Sequence, residues 1–166
     1  MTAHIAPTEL PAPTHTFTQL FGATPRGARV ARLMTVRQLA LWGWPHGHEV
    51  SEAVTAIVAE LAANAATHGR AGGHAFQLRL VVGPGLLQPD VLRVEVADAC
   101  GGARPDPSEP VRVPGPEEES GRGLLLVETF AARWGVTDRL YCGKTVWAEL
   151  DLTAGPANPA RPAAGR

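Results

Sequence analysis

Glu60 and Asn64 lie within Ala59-Glu60-Leu61-Ala62-Ala63-Asn64-Ala65-Ala66-Thr67-His68-Gly69 and unite a carboxylate with a carboxamide four positions on. On a helix the two stand one turn apart on the same side. The carboxylate suits a general base or a water-orienting group, and the amide oxygen is a neutral ligand for a hard cation. Mg²⁺ favours a few such oxygens together with a substrate's phosphates over a complete protein cage. Asn is a poor interior helix former, so one flanked by alanines in mid-helix asks for a reason. Taken alone, the pair also fits the ordinary polar edge of an amphipathic helix.

Two further groups lie downstream. Asp98 follows the apolar-alternating run Val91 to Val96. A carboxylate at a strand end can accept a hydrogen bond from an exocyclic amine such as adenine N6, or it can cap its own turn; both readings stay open. Gly121-Arg122-Gly123 precedes a helical pattern. Unpaired N–H groups and the positive dipole end at a helix start welcome phosphate, and Gly lets backbone come close to a ligand. Arg122 either adds a phosphate contact or faces water, and the Gly-x-Gly alone also fits a loop hinge. Gly143-Lys144-Thr145-Val146-Trp147 is not a Walker sequence, because a strand follows it. Lys144 reads as a turn residue, and Thr145 as the start of the last strand, within reach of the base end of a pocket. The three groups together suggest a nucleotide–Mg²⁺ site.

The elements that must position these residues follow from periodicity. His15 to Phe21 alternates as a first strand. Thr24-Pro25 is a helix start, and Val30, Leu33, Met34, Val36, Leu39 and Leu41 read as the apolar face of a helix ending near Gly43. Trp42 and Trp44 are expected to pack at its end. A second helix runs from about Glu49 to His68 and stops at Gly69. Its stripe is Val50, Val54, Ile57, Val58, Leu61 and Ala65. At ~100° per residue, Asn64 and Glu60 fall at the rim of that stripe, while His68 falls near its centre and reads as a buried histidine. Strands at Ala75 to Val82 and Val91 to Val96 form a hairpin. Residues 99–120 are rich in Pro and Gly and read as a lid or as a disordered insertion. Leu124, Leu125, Val127, Phe130 and Ala131 form a third helix, and Trp134 to Tyr141 and Thr145 to Leu152 two closing strands. This order implies an α+β fold, a two-layer α/β sandwich whose mixed, mostly antiparallel sheet carries its helices on one face.

The 166 residues suit one domain, residues 15–153, with a disordered arm over 1–14 and a floppy tail over 154–166. A net charge of −1 gives no pull toward nucleic acid or anionic membrane. Neither a long apolar run nor a signal peptide is evident, so a cytoplasmic protein is expected. Cys100 and Cys142 read as reduced thiols, and the six histidines form no zinc pattern.

In this order the motifs resemble the GHKL ATPase superfamily, and within it the one-domain anti-sigma factor serine/threonine kinases of actinobacteria. Glu60-Leu61-x-x-Asn64-Ala65-x-x-His68-Gly69 resembles the N box of that group. Val94-Glu95-Val96-x-Asp98 resembles the start of its first glycine box, Gly121-Arg122-Gly123-Leu124 its second, and Gly143-Lys144-Thr145-Val146-Trp147 its closing strand. The resemblance spans about residues 15 to 153. It implies the GHKL ATP-binding fold with ATP and Mg²⁺ as cofactors. Asn64 would hold Mg²⁺, Glu60 would orient and deprotonate the incoming hydroxyl, and Asp98 would recognise adenine with Thr145 in support. Gly102, Gly121, Arg122, Gly123 and Leu124 would shape the phosphate end, and 101–120 would be the ATP lid. Cys100 departs from the first glycine box, where the superfamily usually carries Gly and the actinobacterial group is loose. The implied partners are an anti-sigma factor antagonist as phosphoacceptor, a sigma factor, and a second copy in a homodimer. A non-catalytic ATP-binding module that sequesters a transcription regulator is the alternative.

Overall fold

The computed structural model describes residues 13–68, 75–84, 90–98, 122–139 and 143–152. The expected arm (apart from its last two residues), the lid with Gly102 and Cys100, Gly121, Cys142 and the tail lie outside the described residues. The chain runs β1 (His15–Gly22), α1 (Pro25–Leu41), α2 (Glu49–His68), β2 (Ala75–Pro84), β3 (Asp90–Asp98), α3 (Arg122–Phe130), β4 (Arg133–Asp138) and β5 (Lys144–Leu152). The strands form one sheet in the order β1-β2-β3-β5-β4. Every neighbouring pair is antiparallel. The α+β sandwich read from the sequence is therefore present. Pairing reaches back to Thr14, whose N–H donates to Val82 O at 2.7 Å.

Strand alternation sorts the sheet into two faces. Leu78, Leu80 and Val82 of β2, Leu92, Val94 and Val96 of β3, and Val146, Ala148, Leu150 and Leu152 of β5 are buried on one face. The helices cover that face with Val54, Ile57, Val58, Leu61, Ala62 and Ala65 of α2 and Val127 of α3. The opposite face carries the polar phase of each strand.

α1 begins as its sequence dictates. Thr24 is an extended N-cap whose hydroxyl accepts from Gly27 N–H at 3.0 Å, with Pro25 in the first turn. Its buried face differs from the expected one. Ala28, Ala31, Thr35 and Leu39 face the core, whereas Val30, Leu33 and Leu41 are 41%, 54% and 72% exposed. The reason is close approach: a Cβ on Gly27 would collide with Gly22 O. At that separation only small side chains fit beneath the first turns, and Val30 and Leu33 turn outward; further along, Leu39 is fully buried and Met34 packs against the core, as expected. Trp44 is buried at the end of α1, and Trp42 meets His15 edge-on at 5.3 Å.

Candidate nucleotide site

Glu60 and Asn64 occupy successive turns of α2, and both are half-buried. They stand at the rim of the apolar stripe, as their helical angles require. α3 packs against this part of α2 through Val127, which is fully buried. Gly123 lies one turn before Val127 and so shares its face. That geometry brings Gly123 against Glu60: a Cβ built on Gly123 would overlap Glu60 Oε2 and sit 3.2 Å from Cδ. The carboxylate thus lies beside the opening turn of α3, where backbone N–H groups lack intrahelical acceptors and the dipole is positive. Arg122 opens α3, and Leu124 is half-buried.

Asp98 is the last residue of β3 and is only 6% exposed. Its Oδ2 lies 3.0 Å from Lys144 Nζ. Its Oδ1 is buried and has no hydrogen-bond partner among the described residues. An unpaired buried acceptor costs about 1–3 kcal/mol, so a donor that reached it would be welcomed.

Lys144 is the charged neighbour of Asp98 that sequence reasoning passed over. It reads as a turn residue in isolation, but it is the first residue of β5 and stands opposite Asp98 in the β3–β5 register. Thr145, next along, alternates to the other face of the sheet, in phase with Trp147 and Glu149. The structure therefore does not bring the Thr145 side chain to Asp98. The β3–β5 register sets Lys144 opposite Asp98 and Thr145 opposite Ala97, so the two residues fall on different faces. His68 ends α2. No cluster of three or more His, Cys, Asp or Glu residues able to hold a metal occurs among the described residues.

Residues 21–149 match the histidine kinase-like ATPase domain family. This chain belongs to that family. An uncharacterised protein of Streptomyces coelicolor is 42% identical over 64 residues, a match covering 34% of this chain and 61% of that protein. Among solved structures, the RsbU and RsbW domains of Rv1364c from Mycobacterium tuberculosis share the fold. That match has a TM-score of 0.54 and 19% identity, over 84% of this chain and 33% of the other. Among the described residues, no helix is long and apolar enough to cross a membrane.

Proposed function

We propose that this chain is an ATP- and Mg²⁺-dependent protein serine/threonine kinase that regulates a sigma factor pathway, with an anti-sigma factor antagonist as phosphoacceptor. The observation that carries this reading is the packing of Glu60 against Gly123. It sets a carboxylate base beside a helix start suited to phosphate. The donor set fits the cofactors. The idle, buried Oδ1 of Asp98 suits the exocyclic amine of adenine. With no acidic metal cluster among the described residues, the amide oxygen of Asn64 and the phosphates themselves would hold Mg²⁺, as that cation prefers.

Bound MgATP supplies the transferable phosphoryl group and most of the charge neutralisation. The protein's share is positioning. Glu60 orients a Ser or Thr hydroxyl and accepts its proton as the hydroxyl oxygen bonds to the γ-phosphorus and the bond to the ADP oxygen breaks. Gly123 leaves room for Glu60, and with Gly121, Arg122 and Leu124 it shapes the phosphate end. Gly102 and the stretch 101–120 would close over it. Thr145 supports the base end only through the β5 backbone. The chain would act in the cytoplasm, as a homodimer, and would also bind the sigma factor.

Incubation with labelled ATP and an anti-sigma factor antagonist domain tests the reading. Transfer to a Ser or Thr is expected, and Glu60→Gln should lower it by about 10²-fold or more while ATP binding persists. Transfer indifferent to Glu60→Gln would defeat the catalytic role. ATP binding by the parent without any transfer would select the non-catalytic regulatory module.

A further inference from the structure

Asp98 and Lys144 face each other across β3 and β5, and Asp138 of β4 completes the row beyond Lys144. All three share the phase of Val96, Val146 and Val136, so they stand at one end of the sheet on its helix-covered face. Asp138 has interactions of its own. The side chains of Lys144 and Asp98 are 12% and 8% exposed. An ammonium carries three donors and swivels freely on its stem, yet here it engages Oδ2 alone and leaves Oδ1 idle. An ion pair that served stability only would be expected to use both oxygens, because a buried acceptor without a donor is costly.

We propose that Lys144 is a positioning residue that sets the base selectivity of the nucleotide site: by tying Oδ2 it leaves Asp98 one unengaged acceptor, Oδ1, which takes a 6-aminopurine and refuses a 6-oxopurine. This rests on the nucleotide reading above and concerns which base enters. An amine donates into Oδ1, whereas a keto oxygen sets lone pair against lone pair on a charged oxygen. Sites built on buried polar groups discriminate strongly because the wrong ligand leaves those groups unpaired. Without the ammonium, neither oxygen of Asp98 has a donor among the described residues. Neither is then held toward the base, and the fixed acceptor that separates an amine from a keto oxygen is lost. Loss of Lys144 therefore changes the preference between bases as well as the affinity.

Calorimetric titration of the full chain with MgATP, MgGTP and the Mg²⁺ complex of N6,N6-dimethyl-ATP tests this. The parent should prefer ATP to both others by roughly 100-fold or more. Lys144→Met should weaken ATP by about 10-fold and shrink the ATP-to-GTP ratio to about 10 or less, the loss of the charge-assisted contact. Lys144→Arg, which keeps charge and donors, should retain the preference. Circular dichroism melts check each fold, and Lys144→Gln replaces the Met variant if that one does not fold. Equal affinities of the parent for the three nucleotides would overturn the proposal. So would an unchanged ratio in Lys144→Met, or unfolding of both neutral variants while the Arg variant folds, which marks a structural pair. A parent that binds no nucleotide defeats the site reading itself, whereas ATP binding with a ratio indifferent to residue 144 defeats only this inference.

Discussion

At the scale of single residues, the Glu60–Gly123 contact is the one on which the proposed chemistry depends. A methyl group on Gly123 would occupy the space of Glu60 Oε2. The colliding atom is the end of a flexible side chain, so the carboxylate swings aside and the fold survives. Gly123→Ala should therefore leave the melting temperature nearly unchanged and cut phosphoryl transfer by about 10²-fold, the scale of a 1 Å misplacement of a catalytic group. Initial rates beside calorimetric ATP affinities separate the two effects; an unaffected rate would mean that Glu60 needs no such precision. The placement of Glu60 and Asn64 at the rim of α2, one half of the candidate site, was legible in the sequence, because helical angles depend only on local spacing. The Asp98–Lys144 half was only partly so. Asp98 was visible as a strand-end carboxylate, but its partner depends on a register between strands distant in the chain, which sets Lys144 across from it.

At the scale of elements, α1 shows what residue size does to a helix read by hydrophobicity alone. That pattern puts Val30, Leu33 and Leu41 in the core, yet they are exposed, while Ala28, Ala31 and Thr35 join the expected Leu39 there, because Gly27 lets the helix start lie on the Gly22 carbonyl. On α2 the expected stripe is the one that is buried, with Val50 packed at its edge. The consequence for α1 is a steep penalty at one glycine. Gly27→Ala must push the helix off backbone rather than off a movable side chain. It should cost about 1–3 kcal/mol, as overpacking does. Thr24→Ala removes only the cap to Gly27 N–H and should cost about 1 kcal/mol. Urea denaturation midpoints of the two variants check this order. A Gly27→Ala midpoint at or above that of Thr24→Ala would show that α1 can slide without penalty. Both sites are remote in sequence from Glu60 and Asp98, so ATP affinity should hold in the folded fraction of each.

At the scale of the whole molecule, the near-neutral net charge conceals a ladder of ion pairs on the sheet face that the helices leave open. Arg79 Nη1 reaches Glu95 Oε2 at 3.1 Å, and Arg93 bridges Glu95 Oε1 and Glu149 Oε1, both at 2.7 Å. Arg133 then joins Glu149 Oε2 at 2.9 Å to Asp151 Oδ1 at 2.6 Å. Arg93 also lies over the Trp147 ring, 4.2 Å from its centroid, while the same ring covers Gly135. Glu149 is the node. Its partial burial pushes its pKa up, but the hydrogen bonds and charges of Arg133 and Arg93 outweigh burial and hold it below the usual carboxylate range. The folded chain thus binds this proton less readily than the unfolded chain. The stabilisation is in full force above the unfolded carboxylate pKa of about 4.3 and disappears as pH falls through the lower folded value. Glu149→Gln should accordingly lower stability at pH 7 by about 1 kcal/mol or less, the range for solvent-screened pairs. The gap to the parent should persist at pH 5.5, narrow below about pH 4, and shrink in 0.5 M salt as screening sets in. Urea midpoints of the two chains across that pH series decide the matter: coincident midpoints at pH 7 would mean that water solvates the arginines as well as Glu149 does, and that packing of Trp147 on Gly135, not the ion pairs, holds β4 to the sheet.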